Sequence, residues 1–200
     1  MGEYFTLIKD IDFSKIDAVT DENEILIGYP EGMQHTPGFE GPAIDMADLA
    51  QKLSRGAGPQ TWKTSKTMGR GKKKATVVEE HYVRSIPARP FIEDGIKSGV
   101  DEIDARAKKY YEKTVADGKP YLAGLHAIAV TAIGEIQKLV RGGYYENEYP
   151  NSPETIKAKG SDKPLIDTGQ LLNSLTYVIG GTIHKEVKNA DTGKSEWKAT

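Results

Sequence analysis

An Asp-Thr-Gly tripeptide at 167–169 is the segment of this chain that most closely matches a catalytic motif. Aspartic proteases use this tripeptide, and their chemistry needs two aspartates that share one proton. Here Gln170 follows Asp167 by three residues, and Leu171, Leu172 and Leu175 come after it, which is the capping-box pattern of a helix start. We therefore expect Asp167 to be a structural helix cap. Protease-like use of Asp167 is the alternative.

Other side chains that commonly do chemistry are scattered along the chain. No histidine has a second histidine four residues away, the spacing of a helical metal site. Acidic clusters at 79–80 and 101–104 alternate with apolar positions, which is typical of solvated faces. The absence of cysteine excludes disulfides, thiol catalysis and cysteine–zinc sites. We expect no catalytic residue, no metal site and no cofactor. The four histidines, which we expect to be structural or exposed, are His35, His81, His126 and His184.

A basic run at Gly69–Lys74 (GRGKKK) lies in a polar segment, 60–75, without apolar periodicity. The Walker spacing is absent and no helical pattern follows, so nucleotide binding is not expected. We predict that 60–75 projects as a loop, with a hairpin-like arm as one form of it. There are two interpretations of its cations. They contact DNA phosphates or an acidic neighbour, or they are solvated. These candidate contacts are Arg70, Lys72, Lys73 and Lys74.

Two further segments offer side chains for contacts between subunits. Arg141 ends a helical pattern at two glycines, and Tyr144 and Tyr145 follow. Aromatics in such a place are either ordinary packing or interface anchors. Trp197 is the one large apolar residue of a polar tail, 188–200. We expect this tail to be disordered in solution, with its tryptophan either free or docked on another subunit.

Length and composition indicate one compact domain. A chain of 200 residues can bury roughly 70% of its unfolded surface, and a net charge of −2 is not that of a strongly basic nucleic-acid binder. The first residues include acids and lack the apolar stretch of a signal peptide. No apolar run approaches the ~20 residues that cross a bilayer. We predict a soluble cytosolic protein with one domain over 1–187 and a flexible tail over 188–200.

The first half of the chain predicts strands and one helix. Glu24–Tyr29 is an aliphatic run between turn residues, which is typical of a strand. Apolar residues at helical spacing predict a helix over 44–53, ended by the glycines after it. Thr76–Ile86 is β-branched and aromatic with partial alternation, and Pro87 terminates it as a strand.

The second half predicts two long helices and a hairpin. One apolar stripe from Ile92 to Thr114 predicts a continuous helix of ~40 Å, and a second helix follows Pro120. The tight turn between them favours an antiparallel helix pair. Ser152 and Pro153 begin a short helix that Gly160 ends, and Gly180–Gly181 joins two strands as a hairpin.

These elements predict an α+β fold. Strands from both ends of the chain can pair in one sheet with the helices on one face. We expect a small mixed or antiparallel sheet packed against a long antiparallel helix pair, with a projecting loop and a C-terminal β-hairpin.

Three segments resemble a known family. The run SPETIKAKGSDKPLIDTGQLLNSL resembles the C-terminal signature of the head–tail joining proteins of tailed bacteriophages, the neck or tail-completion family. Ile86–Phe91 (IPARPF) is similar to the signature that precedes this family's long helix. Ile25–Glu31 (ILIGYPE), with the helix after it, is similar to its opening strand and helix. The segments follow the family's order across most of 25–180, although LSRGAG replaces the aromatic residue and glycine that often end the first helix.

The resemblance implies a structural virion protein made in the cytoplasm of a bacterial host and assembled into the neck. Its implied form is a homo-oligomeric ring of six copies, with twelve as the alternative, whose cyclic head-to-tail contacts close on themselves. Implied partners are the head connector or adaptor and the tail terminator or tail tube, with non-specific contact to DNA in the channel and no membrane. The alternative class is a phage-encoded assembly factor or enzyme, either protease-like or nucleic-acid processing.

Overall fold

The computed structural model describes residues 4–6, 24–30, 32–35, 43–68, 75–83, 85–117, 121–188 and 195–199. An antiparallel sheet joins the two ends of this chain. In spatial order its strands are β1 (Tyr4–Thr6), β2 (Ile25–Gly28), β7 (Thr176–Ile179), β8 (Thr182–Lys188) and β9 (Ser195–Ala199).

The register of this sheet follows from one turn and one buried strand pair. Gly180 and Gly181 have φ values of 55° and 77°, which allow the two-residue turn between β7 and β8. Ile27 of β2 lies opposite Tyr177 of β7, and both side chains are buried. The predicted first strand, the C-terminal hairpin and the pairing of both chain ends in one sheet are confirmed.

Helix α4 (Leu122–Arg141) links the sheet to the remaining long helices. It packs against β2 and β7 and also against α2 (Phe91–Ser98) and α3 (Val100–Asp117). The Tyr121 hydroxyl, just before α4, donates to the carbonyl of Ala107 in α3 at 3.2 Å, whereas Ile136 near the end of α4 lies against Gly95 of α2. Helix α4 therefore runs antiparallel to α2 and α3. The α+β fold with an antiparallel sheet and helix pair is therefore confirmed.

The helix predicted as one stripe from Ile92 to Thr114 is divided at Gly99. A Cβ on Gly99 would lie 2.4 Å from Glu135 Cγ of α4, so only glycine allows the helices to approach this closely here. The backbone N–H of Gly99 still bonds to the carbonyl of Gly95 at 3.0 Å, and α3 begins at the next residue. Val100, which lies within the predicted apolar stripe, is 47% exposed.

The first predicted helix is confirmed as α1 (Met46–Arg55). Its N-cap is Asp45, whose Oδ1 accepts from the backbone N–H of Ala47 at 2.9 Å and of Asp48 at 3.4 Å. A small ladder not predicted from the sequence precedes it, in which β3 (Gln34–His35) pairs with β4 (Ile44–Asp45).

The segment predicted as a loop over 60–75 is largely a β-arm. Strands β5 (Gln60–Met68) and β6 (Ala75–Val83) pair antiparallel along their whole length and form a two-stranded sheet of their own. An isolated bridge between Ala57 and Ile86 connects the base of this hairpin to the domain. The loop prediction is thus wrong for 60–68 and the hairpin-like form is correct, while the predicted tip at 69–74 lies outside the described residues.

The prediction of a disordered tail over 188–200 is wrong for β9. Glu186 of β8 lies opposite Trp197 of β9, and the Trp197 ring centroid is 5.0 Å from that of Tyr177. The tryptophan therefore packs on its own sheet rather than standing free.

Three short helices complete the described chain. Helix α5 (Tyr144–Glu148) was not predicted, whereas α6 (Pro153–Lys159) was. As expected, Ser152 Oγ accepts from the backbone N–H of Thr155 at 3.2 Å, and Gly160 ends α6 with φ 71°. Helix α7 (Gln170–Asn173) leads into β7. Within the described residues, no helix is long and apolar enough to cross a membrane.

Candidate functional site

A cleft of about 470 Å³ lies where the three resemblance segments meet, and we call it the Arg89 cleft. His35, two leucines of α1 and the segment before α2 form one part of its lining. The segment before α6, α6 itself and the residues from 165 to the start of α7 form the other part. Its apolar walls include Leu49, Leu53, Ile86, Leu165 and Leu171, and its ionisable groups are His35, Arg89, Lys159 and Asp167.

Arg89 is the buried cation of this cleft, with 5% of its surface exposed. Its backbone N–H donates to the carbonyl of Leu53 at 2.9 Å. Its guanidinium donates to the carbonyl of Tyr149 through Nε at 3.1 Å and through Nη2 at 2.6 Å. Desolvation lowers the pKa of Arg89, because burial disfavours the charged form. Arg89 thus connects the segments before α2 and α6 through hydrogen bonds from its guanidinium to backbone carbonyls.

Lys159 brings a second cation to the cleft from the last turn of α6. Its Nζ donates to the carbonyl of Lys163. Desolvation lowers the pKa of Lys159, the Asp167 carboxylate opposes this, and the Arg89 charge lowers the pKa further. The Asp162 carboxylate also raises the pKa of Lys159, so two carboxylates and one cation act on this lysine besides its burial.

Asp167 is not the N-cap of the helix that follows it. Helix α7 begins at Gln170, so its N-cap is Gly169, with φ 78°. The hydroxyl of Thr168 accepts from the Gln170 backbone N–H at 3.3 Å, and the Gln170 side chain donates to the carbonyl of Gln34 at 3.3 Å. The predicted cap was two residues too early, because a left-handed glycine turn delays the helix; Asp167 is exposed at the edge of the cleft.

The sequence indicated no role for His35, but the fold places it in the lining of the cleft. It is 9% exposed, and its Nδ1 is buried with no hydrogen-bond partner among the described residues. Leu165, which also lines the cleft, has φ 60°, in the left-handed region that favours glycine. His35 and Leu165 thus both line the cleft, although the unpaired Nδ1 of His35 is itself buried beneath the cleft surface.

A second cluster was also missed, because its members are far apart in the sequence. His126 Nδ1 lies 3.0 Å from the hydroxyl of Tyr177, and the His126 and His184 ring centroids are 4.7 Å apart. Burial lowers the pKa of both histidines, and the charge of His126 further lowers that of His184. The sequence could have shown one pair of this cluster. The glycine turn between β7 and β8 sets a register that places Tyr177 opposite His184.

The predicted contact residues are spread over the molecule rather than gathered. Arg70, Lys72, Lys73 and Lys74 lie outside the described residues. Arg141 is exposed and donates to Asn173 Oδ1 at 2.9 Å. Tyr145 is 1% exposed and so packs within this chain, whereas Tyr144 is 45% exposed. Of these two tyrosines, only Tyr144 presents a surface to a partner.

The acidic and histidine groups considered from the sequence do not form a metal-binding set in the described residues. Asp101, Glu102 and Asp104 are exposed on α3, as expected for a solvated face, and Glu102 pairs with Arg106 at 3.6 Å. A second copy of the Asp-Thr-Gly tripeptide occurs at 191–193, so the chain itself contains two such aspartates. That second copy lies outside the described residues.

Comparison of the chain with protein families, characterised proteins and solved structures finds no match. The resemblance in the three segments therefore stays a prediction.

Proposed function

We propose that this protein is a structural component of the neck of a tailed phage, which forms a ring and joins the tail to the head connector. The observation that carries the proposal is that parts of the three resemblance segments, although far apart in sequence, line one cleft, the first of them only through its helix. Leu53 and Arg89 are bonded through their backbones, Arg89 reaches the residues before α6, and the segment after α6 closes the lining. Signatures that describe a packed unit are expected to converge in this way.

The β5–β6 arm supports the same proposal. Nine residues per strand correspond to about 30 Å, and a two-stranded hairpin is marginally stable by itself in water. An arm of this length with basic residues at its predicted tip is well suited to pair with, or lie against, a neighbouring subunit. Six such arms around a ring would concentrate positive charge near a DNA channel.

Exposed apolar side chains add surfaces for subunit contacts. Val78 on the arm is 59% exposed, Leu122 at the start of α4 is 50% exposed, and Tyr144 is 45% exposed. Aromatic residues such as Tyr144 are enriched at the centres of interfaces. The proposed mechanism is therefore shape and charge complementarity between rings, with no bond-making step.

Deletion of the gene from its phage tests the proposal. We expect heads and tails to be made but to remain separate, and we expect this chain supplied in trans to restore joined particles. Normal joined particles without the gene would contradict a neck role.

The enzyme alternative has one feature in its favour, the second Asp-Thr-Gly at 191–193. Aspartic protease chemistry needs both aspartates to share a proton, so Asp167→Asn would abolish it. We expect no peptide cleavage by the purified wild-type protein; cleavage that disappears in Asp167→Asn would favour the enzyme.

A further inference from the structure

The strands β8 and β9 form a two-stranded ribbon that is joined to the rest of the domain along a short line. Strand β8 pairs with β7 over 182–184 and with β9 over 184–188. Within the described residues, β9 has a neighbouring strand on one side only. A cavity of about 600 Å³ is lined by residues of this ribbon and by residues of β7, α3 and α4. Side-chain contacts around this cavity therefore contribute to holding the ribbon in place.

Four rings make these contacts. Tyr177 of β7 stacks on His184 of β8, with centroids 5.0 Å apart and planes 14° apart, and its centroid is 5.0 Å from that of Trp197 on β9. The Tyr177 hydroxyl lies 3.0 Å from Nδ1 of His126 on α4, and the His126 and His184 centroids are 4.7 Å apart. Of these rings, the two imidazoles are the ones that can gain a charge between about pH 5 and pH 8. The ribbon and α4 thus face each other through two histidines.

Protonation of both histidines places two like charges in one contact. Like charges at this separation repel, and partial burial reduces their screening by water. Burial lowers the pKa of both rings, and the charge of His126 lowers the pKa of His184 further. Rings that are separated and solvated bind protons closer to the ordinary pKa of about 6.5. Acid therefore favours an arrangement in which the two rings are apart, and this preference is lost above about pH 7.

The other ionisable groups around the pair do not neutralise it within the cavity. Arg106 and Tyr110 of α3 line the cavity with Tyr177, and the described lining contains no carboxylate. Arg106 pairs with the exposed Glu102 at 3.6 Å. Glu186 shares the sheet face of His184 but is exposed, so water screens its charge. By the same alternation along the strands, the opposite face of the ribbon has Lys185, Glu196 and Lys198.

We propose that His126 and His184 form a pH-sensitive latch, in which protonation of both rings releases the β8–β9 ribbon from α4 and separates Trp197 from Tyr177. The opening uncovers the cavity, while β1, β2 and β7 stay paired and α4 stays packed on β2 and β7. The latch does not depend on a role in the phage neck, so the two proposals fail separately.

Hydrogen–deuterium exchange of the full chain, measured by mass spectrometry, tests the latch. Protection factors, which correct each amide for its intrinsic exchange rate, are compared at about pH 7.5 and about pH 5.5, on either side of the ordinary histidine pKa. We expect the protection of 195–199 to fall about tenfold at the lower pH and to stay below that of β2 at both, because the ribbon opens without the rest of the domain. Unchanged protection of 195–199, or protection equal to that of β2, which marks global unfolding, would overturn the proposal.

Histidine variants assign the effect to the pair. His184→Gln removes one of the two charges, whereas the control His81→Gln removes a histidine from β6, where it lies opposite Trp62. We expect the first variant to lose most of the pH dependence of protection at 195–199 and the second to keep it. Equal pH dependence in both variants would overturn the assignment. If His184→Gln loosens the ribbon at every pH, His126→Gln removes the same charge pair from the side of α4 and decides.

NMR spectroscopy relates the movement of the ribbon to the titration. We expect the indole N–H resonance of Trp197 to shift with the same midpoint pH as the ring resonances of His184. A different midpoint, or no shift of the indole resonance over the same pH range, would overturn the proposal.

Discussion

The hydroxyl of Tyr145 donates to Asp94 Oδ2 at 2.6 Å, and this bond ties α5 to the first turn of α2. Tyr145 is 1% exposed. Burial, and then the hydrogen bond to Asp94 and its negative charge, raise the pKa of the phenol far above its ordinary value, so it remains a protonated donor. The neighbouring Tyr144, by contrast, is 45% exposed.

Removal of this hydroxyl measures what the bond contributes to stability. Tyr145→Phe leaves Asp94 without that donor, and hydrogen bonds to charged groups contribute about 1.5–3 kcal/mol. We expect the free energy of unfolding, measured in urea, to fall by that amount. Tyr144→Phe is the matched control and should stay within about 0.5 kcal/mol of wild type. Equal losses in both variants would contradict the role of the bond.

The contact between α2 and α4 depends on a helical glycine. A Cβ on Gly95 would lie 2.5 Å from Ile136 Cα and 2.8 Å from its Cγ1, so Gly95→Ala forces the helices apart. We expect it to destabilise the protein by about 1–3 kcal/mol, the usual cost of overpacking. Thermal unfolding monitored by circular dichroism measures this loss.

Gly134 is the matched control for that substitution. It lies within α4 and is exposed, and a Cβ added there would have no neighbouring atom within 4 Å, so alanine meets no obstacle. Gly134→Ala should raise stability by about 0.5–1 kcal/mol, because alanine favours the helix. If Gly95→Ala also stabilises the protein, this result would contradict the close contact between α2 and α4 at Gly95.

The pair of histidines on α4 and β8 predicts how stability depends on pH. Burial lowers the pKa of His126 and of His184 below their ordinary value of about 6.5. The unfolded chain therefore binds more protons than the folded chain as the pH falls through that value. We expect the free energy of unfolding to be greatest above about pH 7 and to decline from about pH 6.5 downwards.

Urea unfolding between about pH 5 and pH 8 measures this slope. In the double variant His126→Gln with His184→Gln, the part of the slope that lies below about pH 6.5 should become smaller. A slope identical to that of wild type would show that other groups cause it.

The basic tip is predicted to act in assembly and not in folding. Replacement of Lys72, Lys73 and Lys74 by alanine should leave the melting temperature nearly unchanged, because solvated charges contribute little to stability. Under the proposed function it should reduce head–tail joining in a complementation assay. The matched control replaces the exposed Lys108, Lys109 and Lys113 of α3, which removes the same charge elsewhere. Unfolding of the tip variant, or equal joining in both variants, would contradict this role.

Local chemistry predicted the elements whose signals lie next to one another in the chain. Ser152, Pro153 and Gly160 bracket α6, and two glycines define the C-terminal turn, because caps and turns depend on a few neighbouring residues. The paired chain ends followed from the same local strand patterns.

Other features depended on partners distant in sequence. The break at Gly99 is explained by Glu135 on another helix, and the strand at Ser195–Ala199 by the free edge of β8. Likewise, the unpaired nitrogen of His35 and the meeting of His126 with His184 follow from tertiary packing, which no periodicity within one segment describes. The Arg89 cleft was therefore not predicted as a site, although the segments that line it had been singled out.

A reconstruction of the phage neck by electron microscopy tests the proposed function most directly. The account predicts a closed ring of copies of this chain, six in number, between the head connector and the tail, with an opening wide enough for duplex DNA. A virion without this chain, or one that holds it as an isolated monomer away from the neck, would contradict it.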